Sequence, residues 1–196
     1  MNQKTNKLKT KDLIIAGAFA ALYVVVLFVS VSALGIVPVV YLMAPFFMGI
    51  VLGPIYMLYV TKIPKSGAIL ILAILVGLLT MMGGMWFALV WSLIIGIVAE
   101  LIARTGKYRS KKLYKASFAV FACTNMGPFW GLVLAKQAFL DSCVQYYSQE
   151  YADTIDKFTP SWIVIALIVI ALIGGFIGAN LGSKLMKKHF EKAGVV

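Results

Sequence analysis

Six apolar stretches separated by short polar or basic segments organise this chain. With a window of about 19 residues they run over 13–34, 38–60, 67–82, 86–103, 113–135 and 162–185. A helix that crosses a bilayer takes about 20 mostly apolar residues, so the pattern predicts six spans. The third is the shortest and extends toward Met85. The second carries Pro38, Pro45, Gly49, Gly53 and Pro54. That density of breakers predicts a kinked or interrupted helix, tolerated in lipid only where neighbours or water satisfy the freed carbonyls. Met1–Lys11 is polar and basic, and the apolar run after it is too long for a signal peptide, so it reads as the first span. The segment 136–160 is long and polar, with Asp141, Glu150, Asp153 and Asp156 among Tyr146, Tyr147 and Tyr151. It reads either as a lid over an outward-facing pocket or as an amphipathic helix at the membrane interface. No motif recurs in matching positions of the two halves.

Composition sharpens the class. Hydrophobic residues make up 62% and charged residues 13% of the 196, and the mean hydropathy is +0.95. A soluble domain has about 25% charged residues. The expectation is an all-α integral membrane protein: one membrane domain over 1–196, held in the lipid bilayer. The net charge of +11 reflects loop placement rather than nucleic-acid binding. Sixteen of the 18 Lys and Arg fall before the first span, between the second and third, between the fourth and fifth, or after the sixth. Only Lys136 and Lys157 fall on the other side. The positive-inside rule then puts both termini in the cytoplasm, with 136–160 outside. Cys123 in a span and Cys143 in the long loop form no metal or disulfide pattern.

Catalytic patterns are missing. The sequence has no H-E-x-x-H, G-x-S-x-G or Walker A motif, and no paired carboxylates inside a span. Glu100 precedes Arg104 by four residues, the spacing of an ordinary helix ion pair. Glu100 with Asn180 is the one faint constellation of catalytic type, and His189 reads as a solvated tail residue. The chain is therefore expected not to be an enzyme, and to need no metal or cofactor of its own.

Two constellations do appear. Small residues recur at four-residue spacing: Ala16 with Ala20 and Gly17 with Ala21 in span one; Gly174, Gly178 and Gly182, flanked by Gly175, Ala179 and Ser183, in span six. Such stripes let backbones approach closely in lipid. In span six they point to packing within the chain, while in span one an external partner is an alternative. The second constellation lies in the outer half: Tyr41, Met82, Trp86, Asn125, Trp130 and Lys136, near Ser30, Ser32, Met43, Thr80, Met81, Met85, Trp91 and Met126. Apolar walls with sparse polar groups suit a small-molecule pocket. An interfacial belt is the other reading of Tyr41, Trp86 and Trp130. Asn125 is the deepest polar group, costly there unless it is hydrogen-bonded.

Six spans, a basic N-terminus, the Ala16–Ala20 stripe and the runs APFFMGIVLGPIYMLYVTKIPKSGAILI and FACTNMGPFWGLVLAKQAFL together resemble the substrate-binding S components of energy-coupling-factor (ECF) transporters. Within these the chain is similar to the MptD, or Trep_Strep, group. The resemblance implies a non-enzymatic subunit of an ATP-driven importer in a bacterial cell membrane, capturing a small organic micronutrient, vitamin-like or tetrapyrrole-like, from outside. It implies as partners a transmembrane T component and two ABC-type ATPases, which use the ATP. The family's small-residue stripe, which meets the T component, maps onto Ala16 and Ala20. For an anionic substrate Lys136 would be the partner, unless it merely snorkels. The absence of histidine from Met1–Lys11 disfavours nickel or cobalt as cargo. The competing expectations are a stand-alone secondary transporter or exporter and a membrane enzyme.

Overall fold

The computed structural model describes residues 8–82 and 86–190, the last two as backbone only. Expectations that fall on Met1–Lys7, on the turn around Gly83–Met85 and on the His189 side chain lie outside the described residues. The described chain runs through α1 (Thr10–Leu34), α2 (Pro38–Leu42), α3 (Ala44–Lys62), α4 (Ala68–Met81), α5 (Phe87–Thr105) and α6 (Lys111–Phe121). Two 3-10 segments, Ala122–Met126 and Pro128–Trp130, lead into α7 (Gly131–Leu134). There follow α8 (Lys136–Tyr146), α9 (Gln149–Phe158) and α10 (Ile163–Leu185).

Among the described residues, four helices are long and apolar enough to cross a membrane: α1, α3, α5 and α10 with its continuation. A fifth crossing arises if the segment 111–134, bent by 50° at its break, counts as one span. The element predicted over 67–82 is α4, whose 14 residues extend about 21 Å at 1.5 Å per residue. That is shorter than the hydrocarbon core. The element predicted over 38–60 consists of α2 and α3, separated at Met43. The break lies ahead of Pro45, while Pro54 sits inside α3 without ending it.

Helix α3 is central and α1 peripheral: 56% of the apolar window of α3 is buried, against 22% for α1. The most extensive helix contact among the described residues is α3 against α10. A Cβ on Gly178 would overlap the Gly49 carbonyl, and one on Gly174 the Phe46 carbonyl. The span-six stripe is thus consumed inside the chain, where only the absence of Cβ lets the two backbones touch. Its flank packs the other way, since a Cβ on Gly175 would press on Ala119 and Ala122.

Buried hydroxyls tie the remaining helices together. Ser117 Oγ donates to the Ala99 carbonyl at 2.7 Å, so its contact with Tyr56 Oη, also 2.7 Å, has tyrosine as donor. Ser92 Oγ donates to the Ala73 carbonyl at 2.8 Å. Each such interhelical bond contributes about 0.6–2 kcal/mol in a bilayer.

The basic end of the bundle is closed by two carboxylates. Asp12 Oδ2 accepts from the Lys9 backbone N–H at 2.7 Å and from Lys65 Nζ at 2.5 Å, pinning the start of α1 to the α3–α4 turn. Glu100 corrects the expected ion pair with Arg104. Its oxygens accept from the backbone N–H groups of Gly67 (2.8 Å), Ile69 (3.1 Å) and Leu70 (3.3 Å) and from Tyr108 Oη (2.7 Å). The carboxylate is a long-range cap on α4, placed where free N–H groups and the helix dipole favour a negative charge. Gly67 has φ +88, left-handed backbone that glycine adopts without cost. Lys107 and Tyr108 share that region (φ 51 and 56), turning the Tyr108 ring back onto Glu100.

Candidate functional site

The opposite end of the bundle holds a cavity of about 670 Å³, in the range of small-molecule sites. Its walls come from Leu27, Phe28 and Val31 of α1, Pro45 and Met48 of α3, and Leu79 and Thr80 of α4. Tyr41, Phe129 and Asn125 stand beside it where α2 and the 3-10 segments break the helical pattern. Phe139, Ser142, Cys143, Tyr146 and Tyr147 close it from above, from α8 and the residue after it.

Two backbone irregularities make the space. One is the α2–α3 break. The other is the 3-10 run before and after Gly127–Pro128. Pro128 has no N–H to give the Thr124 carbonyl, which accepts instead from Gly127 N–H at 3.0 Å. The Cys123 carbonyl is satisfied by Trp91 Nε1 at 2.7 Å. Irregular backbone at membrane depth is tolerated where protein or a cavity surrounds it.

The long polar segment, expected as a lid or as an amphipathic helix, consists of the helices α8 and α9. Ser148 caps α9 by accepting from Tyr151 N–H at 3.2 Å. The face carrying Tyr151, Ala152 and Ile155 is buried, and α9 packs on α2. Tyr151 Oη donates to the Gly35 carbonyl at 2.9 Å, and Tyr147 stacks on Tyr151 at 4.2 Å between centroids. A Cβ on Gly35 would come within 2.7 Å of the Tyr147 hydroxyl, so that side chain would have to shift. Burial raises the Tyr151 hydroxyl and the Cys143 thiol above their ordinary pKa values, so both stay neutral at physiological pH.

Of the six residues singled out for binding, Tyr41, Met82 and Asn125 line this cavity. Tyr41 lies across from Phe129 with ring centroids 5.0 Å apart. Trp86 is 67% exposed and away from the lining. Trp130 packs edge-on against Trp91 at 4.9 Å, behind the wall. Lys136 pairs with Asp156 at 2.5 Å on the surface. Sequence reasoning offered 136–160 as a lid or an amphipathic helix but did not single out the lining residues of α8, nor Phe28 and Val31 of α1.

Asn125 is distinctive. It is 8% exposed and borders the cavity, yet neither its amide N nor its amide O has a hydrogen-bond partner. The Tyr23 hydroxyl lies beside Asn125 and Thr124, and neither that hydroxyl nor Thr124 Oγ1 completes a hydrogen bond. Two other polar lining groups are spent locally: Thr80 Oγ1 donates to the Val76 and Gly77 carbonyls, and Ser142 Oγ to the Ala138 carbonyl.

Ala16 and Ala20 face inward, 2% and 4% exposed, within the main apolar core. The neighbouring stripe Gly17–Ala21 is exposed, with no heavy atom within 4 Å of where a Gly17 Cβ would stand. Glu100 and Asn180 do not converge: Asn180 accepts from Lys115 Nζ at 2.9 Å and donates to its own helix. Among the described residues, no group of three or more His, Cys, Asp or Glu is placed to hold a metal.

A family model described as hypothetical bacterial integral membrane protein (Trep_Strep) matches residues 10–192. No curated protein and no solved structure matches the chain.

Proposed function

This chain belongs to the Trep_Strep family of bacterial integral membrane proteins, and from that premise we propose that it is the substrate-capturing subunit of an ATP-driven importer of the ECF type. The observation that carries the proposal is the cavity: about 670 Å³, walled by aromatic and aliphatic side chains, with the unpartnered amide of Asn125 beside it. A deep polar group without a partner costs about 1–3 kcal/mol.

In this reading α4 and the bent 111–134 segment complete six crossings. The end carrying Lys65, Arg104 and Lys115 faces the cytoplasm, as the positive-inside rule requires. The cavity, roofed by α8, then faces outside and takes up a small organic micronutrient. The subunit catalyses no reaction and holds no cofactor. ATP is hydrolysed by two partner ATPases, coupled through a T component. The exposed Gly17–Ala21 stripe, rather than the inward Ala16–Ala20 pair, is the face of α1 open to that partner. Nothing in the arrangement favours the secondary-transporter or enzyme readings.

The test is copurification. The affinity-tagged chain, extracted gently from its own membranes, is expected to bring down a polytopic partner and two ATPases, and Ala21→Trp is expected to lose them while remaining folded. A wild-type chain that brings down no ATPase contradicts the proposal.

A further inference from the structure

The capture reading leaves open what kind of molecule the cavity takes and by which route it arrives. Among the described residues, none that lines the cavity is Asp, Glu, Lys, Arg or His. Lys136, at the start of α8, stands outside the lining and is paired with Asp156. A carboxylate, phosphate or ammonium drawn into this space would lose its hydration without gaining a counter-charge. The uncharged polar groups of the wall are closed off as well. Thr80 Oγ1 and Ser142 Oγ are spent on carbonyls of their own helices. The Asn125 amide lies beside the Tyr23 hydroxyl, with essentially no open surface on its nitrogen or oxygen. What remains is a wall dominated by aromatic and aliphatic carbon.

The place where this cavity meets the surface is equally apolar. Phe28 and Met82 line it and are also 49% and 80% exposed, and Tyr146 and Tyr147 above them are exposed too. Phe28 shares a face of α1 with Val25 and Val29, both exposed. It precedes the helix end at Leu34 by six residues, which puts it about 9 Å inside that end at 1.5 Å per residue. Helix α4 packs on α1 and ends at Met81 after about 21 Å, short of a hydrocarbon core of about 30 Å. In the six-crossing reading, the cavity therefore opens between α1 and the end of α4 at a depth filled by acyl chains.

We propose that the cavity takes an uncharged, lipophilic small molecule, and that this cargo enters sideways from the outer leaflet, between Phe28 and Met82. The inference rests on the capture reading and deepens it, naming the substrate class and the entry route of the same cavity. Such a molecule is scarce in water and concentrated in lipid, so a mouth open to the bilayer meets it where it collects.

The substrate class is tested with two probes on one ring system: neutral N-phenyl-1-naphthylamine and its anionic sulfonate, 8-anilino-1-naphthalenesulfonate. Binding to the full chain in lipid nanodiscs is measured by equilibrium dialysis at neutral pH, with empty nanodiscs as the blank. The amine is expected to bind saturably, with a Kd at least about tenfold below that of the sulfonate. Ser142→Trp, which fills the cavity, is expected to abolish that binding. Equal or tighter binding of the sulfonate overturns the proposal. So does the absence of saturable amine binding by folded wild-type protein, or undiminished binding by the folded variant. The route is tested with Phe28→Cys in a background with Cys123 and Cys143 replaced. This cysteine is expected to react with N-(1-pyrenyl)maleimide dissolved in the bilayer, and more slowly when the amine is present at saturation. It is expected to resist the water-borne anion 2-sulfonatoethyl methanethiosulfonate, which should label Ser148→Cys in the same background. Labelling of both cysteines alike by the anion shows a water-filled mouth and overturns the lateral route. Failure of the amine with ATPases still copurifying removes the substrate class and leaves the capture reading. Selective amine binding without ATPases leaves the site and removes the importer.

Discussion

Glu100 reaches across two turns of the chain to the start of α4, and the strength of that arrangement can be measured. Removing its carboxylate strands three backbone N–H groups and the Tyr108 hydroxyl in a half-buried corner. Glu100→Ala is expected to destabilise the folded protein by about 1–3 kcal/mol, read as a lower unfolding midpoint in detergent. Arg104→Ala, by contrast, should change the midpoint little. Equal effects would restore the local ion pair that the four-residue spacing suggested. That spacing was visible in the sequence, whereas the cap was not, because it depends on where a left-handed Gly67 turn meets α5. Asn125 shows the reverse case. Its depth and amide were legible from position alone, since a polar group inside an apolar run demands a partner. Trp130 and Lys136 share the same neighbourhood in sequence, but one is taken up by Trp91 and the other by Asp156. Cys143 gives a further check at this scale. With its thiol pushed up by burial, less thiolate is present at neutral pH, so alkylation by N-ethylmaleimide should be about tenfold or more slower than for an exposed cysteine. It should accelerate only as pH rises beyond the ordinary thiol range. Fast alkylation at neutral pH would mean that α8 does not close the cavity as described.

Among the elements, the α3–α10 pair sets the frame on which the cavity is built. Gly178→Leu puts a side chain where the Gly49 carbonyl stands, and the helices must separate. The expected cost is about 1–3 kcal/mol or more, seen as a lowered unfolding midpoint. The same substitution at Gly17, which faces open space, should leave the midpoint within about 0.5 kcal/mol. The six apolar runs and their order were legible because each is a continuous stretch of lipid-compatible residues. The span-six stripe was legible as packing for the same reason. The break in the fifth run was harder to see: a single Gly127–Pro128 step interrupts an otherwise uniform pattern, and the 3-10 turns around it depend on the Trp91 hydrogen bond from α5. In the second run the prolines announced an interruption, yet which of them ends a helix follows from packing. Pro54 is accommodated within α3, and the break occurs at Met43.

At the level of the whole molecule, the bundle has a basic end, gathered around the Asp12 and Glu100 caps, and an acidic, tyrosine-rich end over the cavity. If charge sets orientation, a cysteine placed at Ser148 should react with a membrane-impermeant maleimide added to intact cells, and one at Arg109 should react only after the membrane is opened. Both belong in a background with Cys123 and Cys143 replaced. The opposite labelling pattern would invert the molecule and turn the cavity to the cytoplasm. The capture function itself is tested most directly by native mass spectrometry of the protein purified gently from its own membranes, alongside Ser142→Trp, which fills the cavity from α8. A discrete small-molecule mass on the wild-type chain, absent from the folded variant, is the predicted result. The same mass on both, or none on either, would contradict the cavity as the site of capture.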